Sequence, residues 1–309
     1  MDIIKHRYLY FLISLIVIIP GIIALAIWGL PWAIDFTGGS MLEVKFEAGK
    51  APQPAAIIKV YQDLKIADPQ VQTSDQDVVI IRSKFISEEV KDQVVAELGK
   101  RFNSKIDISR FDTVGPSVGS EVTSRAGMTI GFAAIGILAY ITWAFRKIPQ
   151  SYRYGTAAII AMIHDILVVV GIEALFGHFL GWEVDSLFLT ALLTVIGFSV
   201  HDTVVVFDRI RENSQVHRNL TYERIVNHSL VQTLGRSLKT QFTVMLTLLA
   251  LVLFGGVTIF HFSIILLVGI FSGTYSSIFN AAPILVVWEK REWNDWFKPK
   301  KKISESSAA

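Results

Sequence analysis

Asp202 sits inside an apolar stretch that continues from Thr203 to Phe207 before the next charge, Asp208. A charged side chain at that depth of a bilayer costs about 2.5 to 3.5 kcal/mol on insertion scales, so a carboxylate there is either compensated or put to work. At 1.5 Å per helical residue it lies roughly 9 Å from Asp208, within the apolar layer and away from its edge. Ser199 shares its helical face three residues earlier, and Gly197 admits a close neighbouring helix. The partner on offer is Arg236, at the head of the next apolar run and arriving from the same side. Burial favours the neutral acid and a guanidinium favours the carboxylate, so a change in their separation would move a proton. The same pair has a second reading, a static ion pair that fixes helix packing.

His164 and Asp165 mark another apolar run. Adjacent helical residues point about 100° apart, so both cannot meet one partner. Asp165 is assigned to the path with Asp202, and His164 to a neighbouring helix. His201 either shuttles protons or makes a local bond. The ion-coupling candidates are therefore Asp202, Arg236, Asp165, Ser199 and His201.

The elements that must hold them are legible in the hydropathy. A 309-residue chain that is 52% hydrophobic, with mean hydropathy +0.48, is too apolar for an ordinary soluble domain. Apolar runs fall at about 9 to 30, 126 to 145, 155 to 176, 186 to 207, 241 to 260 and 262 to 287. Each approaches the roughly 20 residues that cross a bilayer, which predicts six transmembrane helices. The first run is longer than the roughly 7 to 15 apolar residues of a signal peptide and is read as uncleaved.

Lys and Arg cluster before the first run, between the second and third, between the fourth and fifth, and after the sixth, where residues 289 to 309 form a basic tail. The connections 177 to 185 and 255 to 261 contain neither residue. The positive-inside rule then places both termini in the cytoplasm of a multi-pass protein. With no cysteine there are no disulfides or thiolate metal sites, and no phosphate loop, nucleophile elbow or metal cluster points to an enzyme or a cofactor.

Residues 32 to 122, between the first two spans, pattern as a domain on the outer side. Ser40 to Phe46 alternates as a strand, Pro54 to Leu64 is helical, and Val71 to Ser74 and Val78 to Arg82 flank an Asp75-Gln76-Asp77 turn. Ser87 caps a helix running to about Phe102, and Ile106 to Phe111 closes with a strand. The order β-α-β-β-α-β is that of a ferredoxin-like α+β unit. Its 11 basic and 14 acidic residues favour neither nucleic acid nor anionic lipid, and a docking or lever module is the expected role.

Where the chain leaves the first span, Asp35, Phe36, Thr37, Gly38 and Gly39 read as a joint. The glycines suit positive φ and Asp35 suits a cap. Gly115 and Pro116 mark the return crossing, giving two stiff tethers. Past Asp202, the motif Asp208, Arg209, Arg211, Glu212 and Asn213 reads as an interfacial anchor. Tyr222, Ile225, Val226, Leu230 and Leu234 mark a helix lying on the cytoplasmic surface, within a segment at about 209 to 238.

The stretch Asp35 to Gly39 (DFTGG) resembles a signature of the SecD and SecF export proteins. So do Gly115-Pro116-Ser117-Val118-Gly119, Ile163-His164-Asp165, Asp208 to Asn213 (DRIREN), and Arg236-Ser237-Leu238 followed by Thr240. With six spans and one outer domain, residues 1 to about 290 are similar to the SecF branch of this family, which is related to RND transporters. The resemblance implies a complex with SecD that uses the proton gradient, or sodium, to draw exported polypeptides across the bacterial cytoplasmic membrane. It also implies contact with the SecYEG channel, and adds YajC and YidC as further partners. The family's essential carboxylate falls on Asp202 and its arginine on Arg236. His201, Lys239 and Gln241 depart from the family pattern near the proposed ion path. Two other classes compete: half of an RND-like pump for small molecules or lipids, which normally has about twelve spans, and a non-transporting translocase scaffold, which would not need Asp202.

Overall fold

The computed structural model describes residues 2–47, 51–73, 77–148 and 150–292. Asp75 and Gln76 of the expected turn, and the basic tail from residue 293 onward, lie outside them. In chain order the helices and strands are α1 (Arg7–Trp28), α2 (Ile34–Thr37), β1 (Gly39–Phe46), α3 (Pro54–Asp63), β2 (Gln70–Thr73), β3 (Val78–Ser83), α4 (Glu88–Phe102) and β4 (Ile106–Val114). The long helices α5 (Pro116–Ala144), α6 (Tyr152–Leu180), α7 (Ser186–Val216), α8 (Tyr222–Phe254) and α9 (Val257–Ser276) follow, then a π-helical turn (Ser277–Ala281) and α10 (Ala282–Lys290). Among the described residues, six helical segments, the last running through the π turn, are long and apolar enough to cross a membrane.

The chain forms two compact units, one of residues 30–131 with 180–189 and one of 1–29, 132–179 and 190 onward. The first holds a wholly antiparallel sheet in the order β2-β3-β1-β4. Alternation along β1 sends Leu42, Val44 and Phe46 inward, and along β3 Val79 and Ile81. Ile57, Val60 and Tyr61 of α3 and Val94 and Leu98 of α4 complete that core. Ser87 caps α4, its Oγ accepting from the Val90 N–H at 3.4 Å. The expected βαββαβ order is the one found.

This unit also takes in the connection between α6 and α7. Val184 bridges Trp32, and Arg82 of β3 forms an ion pair with Glu183 at 2.5 Å. Burial pushes the Glu183 carboxyl above its ordinary range, and Arg82 offsets part of that. A carboxyl raised on folding stabilises below its unfolded value, near 4.3, and that contribution is lost as pH rises through the folded value. Resistance of this unit to proteolysis in the full-length protein should therefore decline as pH climbs out of the ordinary carboxylate range. Glu183→Gln should flatten the decline; an unaltered pH profile in that variant would contradict it.

The two expected tethers turn out to be one joint. Gly38 and Gly39 have φ of 71° and 128°, and a Cβ on Gly38 would lie 2.8 Å from Pro116 Cα. Asp35 caps a helix other than its own: Oδ2 accepts from the Ser186 N–H at 2.9 Å and its hydroxyl at 2.6 Å, at the start of α7. Gly39→Ala adds a Cβ 2.6 Å from the Ser83 carbonyl oxygen at a φ that favours glycine. The cost should be about 1 to 3 kcal/mol or more, seen as a lower melting temperature and reduced abundance. Wild-type stability in that variant would rule out the joint as described.

In the other unit, α1 and α6 close on each other at Gly21 and Gly171, where a Cβ on Gly21 would lie 2.8 Å from Gly171 Cα. An apolar core of Phe145, Tyr154, Phe207, Ile210, Leu230 and Leu285, among others, joins α5 to α6, α7, α8 and α10. The stretch 221 to 234 is not a helix of its own: α8 runs unbroken from Tyr222 to Phe254. No proline or glycine pair interrupts the passage from its amphipathic start to its apolar end.

Candidate ion-coupling site

Two buried carboxylates on neighbouring helices anchor a polar seam through the helical unit. Asp165, on α6, is fully buried. Its Oδ2 accepts from the hydroxyls of Ser199 on α7 at 2.5 Å and Ser276 on α9 at 2.7 Å, and its Oδ1 from Ser272 at 2.7 Å. His164 Nδ1 lies 3.0 Å from the same Oδ1, while its Nε2 lies 3.0 Å from Ser14 Oγ on α1. Asp165 is thus turned toward α7 and α9, while His164 bonds both Asp165 and Ser14 on α1.

Helix α9 supplies two of the serines because Gly273 lets it close on α7, a Cβ there lying only 3.1 Å from Ser199 Cβ. The π turn follows directly. Pro283 lacks the N–H that an α-helix would donate to Phe279, which accounts for a wide turn at this point. Within the turn Ser277 Oγ meets Thr203 Oγ1 at 3.0 Å and donates to the Ser199 carbonyl at 3.1 Å, linking the surroundings of both carboxylates.

Asp202, one turn beyond Ser199 on α7, is 4% exposed and accepts from Gln241 Nε2 on α8 at 2.5 Å. Two expectations are corrected here. Ser199 serves Asp165 and not Asp202. Arg236 forms no ion pair with Asp202: the inward face of α8 carries Thr233, Ser237 and Gln241 at four-residue spacing, and Arg236 lies one position, about 100°, off that face. Arg236 is exposed instead, lining a cavity of about 400 Å³ with Asp208, Arg209 and Glu212. His201 is exposed on α7, turned away from the buried face that carries Asp202.

The interfacial motif divides as well. Asp208 with Arg211 and Arg209 with Glu212 form pairs three residues apart at 2.5 Å on the α7 surface, a kind worth about 0.3 to 0.5 kcal/mol. Asn213 is buried and donates to Ser229 Oγ at 2.8 Å and Gln232 Oε1 at 2.9 Å, fastening α7 to α8. Beside the carboxylates, a cavity of about 740 Å³ is lined by Lys239, Gln241, Phe242 and Tyr275. A second, of about 260 Å³, has Ser14, His164 and Ser272 in its lining.

Residues 93–291 match the family model for the protein export membrane protein SecD/SecF, C-terminal, and residues 23–50 match the SecD/SecF GG motif. The chain is 56% identical over 299 residues to a protein translocase subunit SecF from Anaerolinea thermophila, covering 96% of this chain and 97% of that one.

The chain belongs to the SecD/SecF family.

A protein translocase subunit SecF from Thermobaculum terrenum is 48% identical over 307 residues, with 94% and 95% of the two chains covered. Among solved structures, the chain is similar to SecDF, a translocon-associated membrane protein from Thermus thermophilus, with a TM-score of 0.79 at 29% identity. The match covers 94% of this chain and 39% of the SecDF chain, so this SecD/SecF member spans well under half the length of that relative. Six apolar helices and this membership make it a multi-pass membrane protein of the RND-type fold.

The GG-motif match falls on the joint at Gly38 and Gly39. Sequence reasoning missed Gln241 as the donor to Asp202, although it noted the position as a departure from the family pattern. It also missed Ser272 and Ser276, whose four-residue spacing on one helical face was the available signal, and Glu173, a carboxylate inside the third apolar run.

Proposed function

We propose that this SecD/SecF member works in Sec-dependent protein export as the SecF-type half of an assembly with SecD, with the SecYEG channel, YajC and YidC as further partners and exported polypeptides as cargo. Residues 32–122 lie on the outer side, and both termini are cytoplasmic. Its ion-coupling centre is the pair of carboxylates Asp202 and Asp165, which convert ion passage into helix movement. The reading is supported above all by one contrast: among the described residues, Asp165 is held by four neighbours from three helices, whereas Asp202 has a single donor, Gln241.

A carboxylate with four donors suits a fixed post that senses how α7 and α9 sit. One with a single donor is the part that can change state as α8 moves. A proton supplies about 1.4 kcal/mol per pH unit and about 2.3 kcal/mol per 100 mV, enough for a modest rearrangement. Arg236, exposed beside Asp208, is assigned to the cytoplasmic side of the path, where its charge biases ion release.

Asp202→Asn keeps the shape and the contact with Gln241 and removes the titration. In cells carrying SecD, the variant should accumulate to the normal level while export of a secretory substrate under a proton gradient falls by about tenfold or more, the equivalent of 1.4 kcal/mol. Normal abundance with normal export would sink the proposal.

A further inference from the structure

Glu173 lies on α6 eight residues beyond Asp165, roughly 12 Å along the helix toward the connection that contains neither Lys nor Arg. Its side chain is completely buried. Oε2 lies 2.9 Å from Nε2 of His261 on α9, and Oε1 has no hydrogen-bond partner. Buried polar atoms are almost always satisfied, and a permanent ion pair that leaves one carboxylate oxygen bare inside a helix bundle is a poor structural device. The same geometry suits a carboxyl group that gains and loses a proton, because the neutral acid needs fewer partners than the anion.

His261 has the complementary placement. It stands four residues into α9, roughly 6 Å from the start of that helix, and its side chain is 20% exposed. One ring therefore touches both the surroundings and a sealed carboxyl. Of the other groups near Glu173, α1 approaches α6 through Gly21 against Gly171, which carry no charge. The next ionisable groups along α6 are Asp165 and His164 inward and His178 outward, the last stacked on Trp28. Among the described residues, His261 is the ionisable group bonded to Glu173. A cavity of about 260 Å³ is lined by His164, Val168 and Ile172 of α6 with Val268 and Ser272 of α9, one residue short of Glu173 along α6.

We propose that Glu173 and His261 form a second protonation site, an outer station that loads the proton later handed to Asp202. A proton from the outer medium binds Nδ1 of His261 as the Nε2 proton passes to Oε2 of Glu173, so one proton enters, one leaves the ring, and the imidazole ends neutral. Rotation of the protonated carboxyl about Cγ–Cδ then carries that proton from the ring side to the position of the unpartnered Oε1, from which it is released inward. The direction of travel rests on the coupling reading above, but the existence of the site does not.

Two measurements separate them. On the full-length protein purified with SecD, infrared difference spectra on acidification should show a protonated-carboxyl band that Glu173→Gln removes and His261→Gln, which keeps a donor to the carboxyl, shifts. In vesicles, Glu173→Gln and His261→Gln should each slow proton uptake from the outer side roughly a hundredfold or more, within the range general acid–base groups contribute. Asp202→Asn should stop uptake yet keep the band. A spectrum unchanged in Glu173→Gln, or normal uptake in a folded His261→Gln, overturns the outer station. A band that persists while Asp202→Asn leaves uptake normal overturns the coupling reading and leaves the protonation site standing.

Discussion

Asp165→Asn is expected to abolish proton-dependent export and to destabilise the helical unit together. Three serine hydroxyls from α7 and α9 donate to this carboxylate, and hydrogen bonds to a charged group are each worth about 1.5 to 3 kcal/mol. An asparagine keeps one acceptor oxygen and turns two N–H groups toward the serines, whose hydroxyls must rotate to accept. The deficit should reach several kcal/mol, read as a lower melting temperature of the purified protein. Ser272→Ala and Ser276→Ala, each removing one donor, should fall between wild type and Asp165→Asn. If Asp165→Asn melts with the wild type and exports normally, the fixed-post role is wrong.

Gln241→Leu should cut export by about 10- to 100-fold, the equivalent of losing one charged hydrogen bond of about 1.5 to 3 kcal/mol. Among the described residues Gln241 is the single donor to Asp202, and leucine fills much the same volume without an N–H. Residues acting as one unit are not additive, with coupling of about 0.5 to 3 kcal/mol. Adding Asp202→Asn to Gln241→Leu should therefore cost little beyond Asp202→Asn alone. Export losses that simply multiply would show that Gln241 acts elsewhere, for instance through the cavity it shares with Lys239.

The carboxylates were legible because the cost of a charge in hydrocarbon is local to the residue. Asp202 and Asp165 stand out from their apolar runs wherever the helices pack, and the six spans follow from the same arithmetic. Partners are another matter, since one residue of helical phase is about 100° of direction. That phase separates Arg236, exposed, from Ser237 and Gln241, which face inward, and it gave Ser199 to Asp165.

The α+β unit was readable almost strand by strand because its alternation and the Ser87 cap are short-range signals. Its strap from Glu183 to Arg82 was not, being a contact between residues about a hundred positions apart. Glu173 met the criterion that singled out Asp202. What gave it meaning was His261 on a helix 88 positions away in sequence.

The central claim is that Asp202 changes protonation as ions cross. The most direct measurement is proton uptake by vesicles containing this protein with SecD, comparing the wild type with Asp202→Asn at equal protein content under an imposed pH gradient. Uptake that falls to the level of empty vesicles in the variant, with its helical content and melting temperature intact, is the predicted result. Uptake in the variant equal to that of the wild type would contradict it.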